Sequence, residues 1–134
     1  MIMLKNRIEF MLAMIGIMKI GALFVPINTE LKGAFLQHQM RNAEPKAIFL
    51  DHGLRDAFDV VKGGSDNLAA TIYVAGDVPE QRPEVLAGAP AMAYEAFMAL
   101  DGAGDDVLVD AQPHDIACIM YTSGTTGPSK GVLM

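Results

Sequence analysis

Tyr121-Thr-Ser-Gly-Thr-Thr-Gly-Pro-Ser-Lys-Gly131 is the stretch from which the rest of the chain is interpreted. Its three glycines allow the backbone to adopt positive φ and to approach a ligand closely. Its five serine and threonine hydroxyls can donate to anionic oxygens, and Lys130 adds a compact positive charge. Amides, hydroxyls and an ammonium group without a carboxylate suit a polyphosphate. The stretch therefore predicts a phosphate-binding loop.

The segments on both sides of this loop are apolar. Residues 116–121 precede it and residues 131–134 follow it, which predicts strand, loop, strand. A Walker A loop would place glycine before its lysine and serine or threonine after it, and would then open a helix. Here serine precedes Lys130 and glycine follows it, which argues against a nucleoside triphosphate hydrolase. A surface turn that closes a hairpin is another interpretation, although a turn does not need so many of these residues.

The loop resembles the signature loop of the adenylate-forming superfamily, which comprises acyl-CoA synthetases, non-ribosomal peptide adenylation domains and luciferases. In that family proline most often precedes the lysine directly, whereas here Pro128 lies one place earlier and Ser129 fills the position. The opening of the chain also resembles the family, at Asn6, Glu9-Phe10, Lys19-x-Gly-Ala22 and Val25-Pro-Ile-Asn28. The resemblance covers most of the chain, but only the loop is specific.

The resemblance implies a reaction in two steps. A carboxylate attacks the α-phosphate of ATP and releases pyrophosphate, and the acyl-adenylate then passes to a thiol such as coenzyme A. ATP, magnesium and coenzyme A are the implied cofactors and co-substrates, and a fatty or other acyl acid is the implied substrate. Magnesium would bridge the phosphates, and no metal-ligating residue is assigned. The motif implies a catalytic role for Lys130, and it implies binding of the β- and γ-phosphates by Thr122, Ser123, Gly124, Thr125, Thr126, Gly127 and Lys130.

Other functions remain open at this point. The chain could be a non-catalytic fragment or pseudo-enzyme that retains only nucleotide-phosphate binding, or an adenylation domain that loads a carrier protein. The resemblance also implies that acidic, ribose-binding and second-domain motifs follow the loop. Residues 1–134 are therefore expected to be part of an AMP-binding domain, with no complete second domain, and to be inactive alone.

Composition limits the class of protein and its partners. Hydrophobic residues make up 51% and charged residues 19% of the chain, which predicts a globular core. A net charge of −6 and a pI near 4.8 argue against nucleic acid and anionic membranes as partners. The single cysteine, Cys118, cannot form an internal disulfide, which favours a reducing, cytoplasmic location. Its place in an apolar strand predicts a buried thiol.

Residues 10–27 are apolar apart from Lys19, so a membrane span or a signal peptide must be considered. Lys19 lies near the middle, where a charge costs about 2.5–3.5 kcal/mol on insertion scales. Asn6 with Glu9 resembles a capping box, and Gly21 suits a helix C-terminus. These signals favour a buried helix over residues 7–20, apolar on nearly all sides, and no transmembrane segment is expected.

The order of elements predicts an α/β fold, a partial parallel sheet with flanking helices, as part of the large N-terminal domain of an adenylate-forming enzyme. Strands are expected at residues 22–25, 46–50 and 71–74, with Pro26 ending the first. Helices are expected at residues 30–42, capped by Thr29, and at residues 54–62. The first of these helices should present its apolar side through Leu31, Phe35, Leu36 and Met40. Alternating strands and helices of this length imply parallel pairing.

The remaining segments carry weaker signals. His38 is expected to be solvated on the polar side of its helix, and residues 51–53 to form a turn at the sheet edge. Residues 77–90 are expected to be a connection, residues 91–100 a short helix and residues 101–106 a solvated linker. His114 and Asp115 could face a ligand, but a turn that enters the next strand explains them as well.

Overall fold

The computed structural model describes residues 1–59, 61, 66–75, 84–100, 102, 109–122 and 128–134. The helices within these residues are α1 (Ile8–Lys19), α2 (Gly33–Ala43), α3 (Asp56–Asp59) and α4 (Tyr94–Met98), with a 3-10 turn at His52–Leu54. The strands are β1 (Ile2–Met3), β2 (Ala47–Asp51), β3 (Ala70–Val74), β4 (Val85–Leu86), β5 (Ala89–Ala93), β6 (Ile119–Thr122) and β7 (Lys130–Leu133).

The first five strands form one mostly parallel sheet in the order β1-β2-β3-β5-β4. β2 pairs in parallel with β1 and β3, β3 pairs in parallel with β5, and β4 pairs antiparallel with β5. In this register Phe49 lies between Ile2 and Ile72. The sheet confirms the predicted α/β class, and β2 and β3 confirm the strands predicted at residues 46–50 and 71–74.

Helices cover both faces of the sheet because β2 is apolar on both sides. Leu50 belongs to the core cluster on one face, into which α2 packs Leu36 and Met40. Phe49 belongs to the cluster on the opposite face, where it meets Ala13 of α1. Leu36 and Met40 are fully buried, and burying a side chain of this kind contributes about 1.5–3 kcal/mol. The fold is therefore layered as helix, sheet, helix.

Helix α1 confirms the helix predicted at residues 7–20, but the predicted capping box is wrong. The N-cap is Arg7, not Asn6, and no side chain caps the helix. Glu9 instead accepts a hydrogen bond from Arg7 Nε at 2.9 Å. This hydrogen bond lowers the pKa of the Glu9 carboxyl group. The Glu9 side chain is thus paired with Arg7 and does not form the capping box.

The C-terminus of α1 closes at the predicted glycine. Gly21 has a φ of +66°. Its N–H donates to Met18 O, and the N–H of Ala22 donates to Ile17 O, both at 3.0 Å. These two bonds form a Schellman motif, in which glycine at the left-handed position reverses the chain. The glycine thereby directs the chain from α1 back toward the sheet.

Helix α1 is buried on one side, whereas the sequence predicted burial on nearly all sides. Ala13 is 6% exposed, but Ile8 is 67%, Leu12 47% and Ile15 48% exposed. In the part of the chain that the structure describes, this apolar face is open, and it continues into a cavity of about 810 Å³ that Phe97 also lines. No helix among the described residues has the length and hydropathy needed to cross a bilayer.

Helix α2 begins at Gly33, three residues later than predicted. Its N-cap is Lys32 and no side chain caps it, so the cap predicted at Thr29 is wrong. Asn28 Oδ1 instead accepts a backbone N–H two residues ahead, at 2.9 Å, which forms a turn before the helix. Phe35 was predicted to lie on the apolar face but is 63% exposed, because the buried stripe is formed by Leu36, Gln39 and Met40 and Phe35 lies at its margin.

The strand predicted at residues 22–25 is absent from the described sheet. The segment instead makes two isolated parallel bridges, Phe24 with Cys118 and Pro26 with Ile2. Ile2 donates its N–H to Val25 O at 2.8 Å. Pro26 has no N–H to donate, so a continuous ladder cannot form through it. The segment nevertheless connects the edge of the sheet at β1 to the chain that enters β6.

The region after β3 contains more strand than the sequence predicted. Residues 89–93 form β5, so the helix predicted at residues 91–100 shortens to α4, because pairing with β3 outweighs weak local preference. β4 lies within the predicted connection 77–90, of which residues 77–83 lie outside the described residues.

Two other predicted segments are described only in part. The predicted helix 54–62 is represented by the 3-10 turn and α3, while residues 60 and 62 lie outside the described residues. The predicted linker 101–106 lies outside them except for Gly102.

We expect Gly21→Ala to lower the free energy of unfolding by about 1–2 kcal/mol, because a left-handed conformation strains any residue with a Cβ. The new Cβ would also lie 3.0 Å from Val109 Cγ2. Gly16→Ala is the matched control, since a Cβ at Gly16 meets nothing within 4 Å and alanine favours a helix interior by about 0.5–1 kcal/mol. Urea denaturation of both variants measures the effects. Equal stability of Gly21→Ala and wild type would contradict the expectation.

Candidate functional site

The predicted phosphate-binding loop joins β6 to β7, which pair antiparallel. This confirms the predicted order of strand, loop, strand. The register sets Thr122 opposite Lys130 and Tyr121 opposite Gly131. Directly opposite residues of an antiparallel pair project to the same face of the sheet. The side chains of Thr122 and Lys130 therefore leave the same face of the hairpin, and both residues are exposed, at the two ends of the loop.

The structure describes two of the predicted phosphate-binding residues, Thr122 and Lys130. The residues between them that complete the predicted set lie outside the described residues; they are Ser123, Gly124, Thr125, Thr126 and Gly127. Pro128 and Ser129, at the closing end of the loop, are described again. The structure thus defines the two ends of the loop and the strands that carry them.

Gly131 allows the two strands and α2 to approach closely. A Cβ at this position would lie 2.9 Å from Ile119 Cγ2 and 3.6 Å from Asn42 Oδ1. Real Cβ atoms essentially never lie within 3.0 Å of such a neighbour, so a larger residue would require either the Ile119 side chain or β7 to shift. The glycine after Lys130 therefore serves packing, which the sequence pattern alone did not distinguish from loop flexibility.

Backbone hydrogen bonds join this hairpin to the segment around Phe24, which follows α1. Phe24 donates its N–H to Ala117 O at 3.1 Å, and Ile119 donates its N–H to Phe24 O at 3.1 Å. Cys118 lies between these partners and is 5% exposed, as predicted for a buried thiol. These bonds hold the start of β6 beside the segment that contains Phe24.

Helix α2 contacts the first strand of the hairpin through a side-chain hydrogen bond. Tyr121 donates its hydroxyl to Asn42 Oδ1 at 2.6 Å. Partial burial raises the pKa of the Tyr121 phenol above its ordinary value. The phenol thus stays protonated at neutral pH and keeps its role as a donor.

The same helix contacts the closing end of the loop, and here a prediction is wrong. His38 is half-buried, not solvated, and its Nε2 lies 2.9 Å from Ser129 O. Gln39 Nε2 donates to Ser129 Oγ at 3.0 Å. The sequence analysis assigned no role to Gln39 or Asn42. The available signal was the spacing of His38, Gln39 and Asn42, which places them along one side of a helix.

Two other polar residues, Asp51 and Asp115, make hydrogen bonds that stabilise local turns. Asp51, at the end of β2, is 9% exposed and accepts the Gly53 N–H at 3.0 Å, with Arg7 Nη1 3.6 Å from its other oxygen. Asp115 Oδ2 accepts the Gln112 N–H at 2.8 Å, which forms the predicted turn before β6. Neither group lies at the loop ends. The described residues contain no group of three His, Cys, Asp or Glu side chains that could hold a metal ion.

Comparison with known proteins identifies relatives along the whole chain. The model of the AMP-binding enzyme family matches residues 1–134. An indoleacetate–CoA ligase from Aromatoleum aromaticum is 32% identical over 131 residues, which are 96% of this chain and 23% of the relative. An L-proline–[L-prolyl-carrier protein] ligase from Streptomyces coelicolor is 27% identical over 120 residues, which are 90% of this chain and 22% of the relative. The chain thus spans about a quarter of the length of these curated relatives.

Solved structures agree with this result. An anthranilate CoA ligase in complex with anthranoyl-AMP superposes with a TM-score of 0.82 at 20% identity, covering 98% of this chain and 24% of the neighbour. ATP-bound MatB from Rhodopseudomonas palustris superposes with a TM-score of 0.69 at 25% identity, covering 99% of this chain and 24% of the neighbour. The family match, the layered sheet and the loop between β6 and β7 lead to one conclusion. The chain belongs to the AMP-binding enzyme family of adenylate-forming ligases, and its fold matches their N-terminal domain.

Proposed function

We propose that this chain is the phosphate-binding part of an ATP-dependent ligase that activates a carboxylic acid as its adenylate and transfers the acyl group to coenzyme A. One observation carries the proposal. In a chain of the AMP-binding enzyme family, Thr122 and Lys130 are paired across β6 and β7 at the ends of a loop sequence rich in Gly, Ser and Thr. This donor set suits the oxygens of a polyphosphate.

The first step is the one that this loop serves. A carboxylate oxygen bonds to the α-phosphorus of ATP, and the bond from that phosphorus to the bridging oxygen of pyrophosphate breaks. Lys130 and the loop hydroxyls donate to the β- and γ-phosphates, so they stabilise the charge that develops on the leaving pyrophosphate. The same contacts hold the leaving oxygen in line with the attacking carboxylate. In the second step a thiol sulfur bonds to the acyl carbon and AMP leaves.

Magnesium bound with the nucleotide would take oxygen ligands and would neutralise phosphate charge, and no residue of this chain is assigned to hold it. The loop itself contains no carboxylate. We therefore assign no metal-binding role to any side chain in the described part of the chain. Charge neutralisation by this chain is assigned to Lys130 and to hydrogen-bond donors alone.

The acyl acceptor is the finer part of the proposal. The indoleacetate–CoA ligase at 32% identity and the anthranilate CoA ligase at a TM-score of 0.82 support coenzyme A. The ligase specific for a prolyl carrier protein, at 27% identity, supports a carrier protein as the alternative. Incubation of the acyl-adenylate with coenzyme A or with a phosphopantetheinylated carrier protein distinguishes the two acceptors, since each forms a different thioester.

In the protein at its full encoded length, we expect Lys130→Ala to lower the rate of ATP–pyrophosphate exchange about ten- to a hundredfold. A hydrogen bond to a charged group contributes about 1.5–3 kcal/mol, and about 1.4 kcal/mol corresponds to a tenfold change in rate. Thioester formation from a supplied acyl-adenylate should change much less, because pyrophosphate is absent from that step. Lys5→Ala is the control, since Lys5 is an exposed lysine in the connection before α1.

A variant that loses thioester formation but keeps its exchange rate would contradict the role assigned to Lys130. Wild-type protein that binds ATP but exchanges no pyrophosphate with any of a panel of carboxylic acids would favour the non-catalytic alternative. The full-length protein is required for these assays because the relatives are about four times longer than this chain.

We expect the 134-residue chain, expressed alone, to show no ATP–pyrophosphate exchange and to associate. The reason for association is the apolar face of α1, where Ile8, Leu12 and Ile15 are each 47% or more exposed. Size-exclusion chromatography with light scattering measures the oligomeric state, and the exchange assay measures activity. A monomer with robust turnover would contradict both expectations. Met11→Lys with Ile15→Lys, which charges the same face, should reduce association if that face is responsible.

A further inference from the structure

The closing end of the loop is contacted by a buried side chain of α2. Ser129 directly precedes Lys130, the residue to which the proposed function assigns the catalytic contact. Gln39 Nε2 donates to Ser129 Oγ at 3.0 Å, across 90 positions of sequence. His38 Nε2 lies 2.9 Å from the backbone oxygen of the same serine. Two neighbouring residues of one helix thus hold one loop residue through both its side chain and its backbone.

The direction of each hydrogen bond follows from the chemistry of the groups. A carbonyl oxygen can only accept, so His38 Nε2 must carry a hydrogen in this arrangement. The Ser129 hydroxyl can accept from the Gln39 amide. Only the bond from His38 depends on the Nε2 hydrogen, since the bond from Gln39 joins an amide to a hydroxyl. Both bonds end on Ser129 and leave the Lys130 ammonium group free of these two contacts.

Burial makes the hydrogen bond of Gln39 significant. Gln39 is 3% exposed, and a buried amide is unfavourable unless it is hydrogen-bonded. Its Oε1 has no hydrogen-bond partner among the described residues, so Ser129 is the partner that the described part of the chain provides for this side chain. Gln39 also lies next to Met40, which is fully buried in the core. The position of the amide is thus set by a packed helix and not by the loop.

We propose that Gln39 is a positioning residue that holds Ser129, and through it Lys130, in the place required for binding the triphosphate of ATP. This inference rests on the proposed function and deepens it, because it names the residue that holds Ser129, next to Lys130, before the nucleotide arrives. A glycine-rich loop loses conformational freedom when it binds a ligand, and a preformed attachment removes part of that loss. The hydrogen bond between Gln39 and Ser129 therefore acts on nucleotide affinity and, through the position of Lys130, on the adenylation step.

The test is a double-mutant cycle in the protein at its full encoded length. Ser129→Ala removes the hydroxyl, and Gln39→Met removes the amide at similar length and volume. Each single variant should raise the KM for ATP about two- to tenfold, the worth of one neutral hydrogen bond. The KM for the carboxylic acid should stay within about twofold. The double variant should be no worse than the worse single variant, because both lose the same bond. Lys32→Met, at the exposed N-terminus of α2, is the control.

Hydrogen exchange of peptides from residues 119–134, measured without nucleotide, separates this proposal from the proposed function. Both variants should exchange faster than wild type in these peptides, while Lys32→Met should not. Two results would overturn the proposal. One is unchanged hydrogen exchange together with an unchanged KM for ATP, and the other is a double variant in which the effects on the KM for ATP are fully additive. Should wild-type protein exchange no pyrophosphate with any acid, the proposed function fails, and the hydrogen exchange of Ser129→Ala alone decides whether Gln39 holds the loop.

Discussion

The burial of β2 on both faces is the constraint on which the rest of this structure depends. Adjacent residues of a strand project to opposite sides, so Phe49 and Leu50 present apolar surface to both faces of the sheet. Neither face can be left to water without losing the free energy of burial. α1 must therefore cover one face and α2 the other. The position of α2, and with it everything that α2 holds, follows from this requirement.

Helix α2 joins the core to the candidate site. One side of the helix buries Leu36 and Met40 in the core, and the adjoining side presents His38, Gln39 and Asn42 to the hairpin. Phosphate-binding loops work best when a rigid scaffold supports them, because a loop alone does not hold its donors in place. A packed helix that contacts both β6 and the residue before β7 is such a scaffold. The packed core and the proposed binding site are thus connected through a single element.

The elements that the sequence predicted well depend on short-range signals. The apolar strands β2 and β3, the turn at Gly21 and the two strands around the loop could all be recognised from neighbouring residues. The helix caps at Asn6 and Thr29 were wrong because capping side chains have other partners or positions in the folded chain. β5 was missed because its pairing with β3 is a long-range contact that the local sequence does not indicate.

The sequence by itself determined the chemistry of the loop, since hydroxyls, glycines and one lysine without a carboxylate are visible in the order of residues. It also determined the α/β class, because apolar strands alternate with helices along the chain. Only the tertiary structure decided that Thr122 lies opposite Lys130 and that Gln39 and His38 meet Ser129. These pairs depend on strand register and on the packing of α2. Ser129 is separated from Gln39 by 90 positions and from His38 by 91 positions, so these residues meet only after folding has brought α2 and the hairpin together.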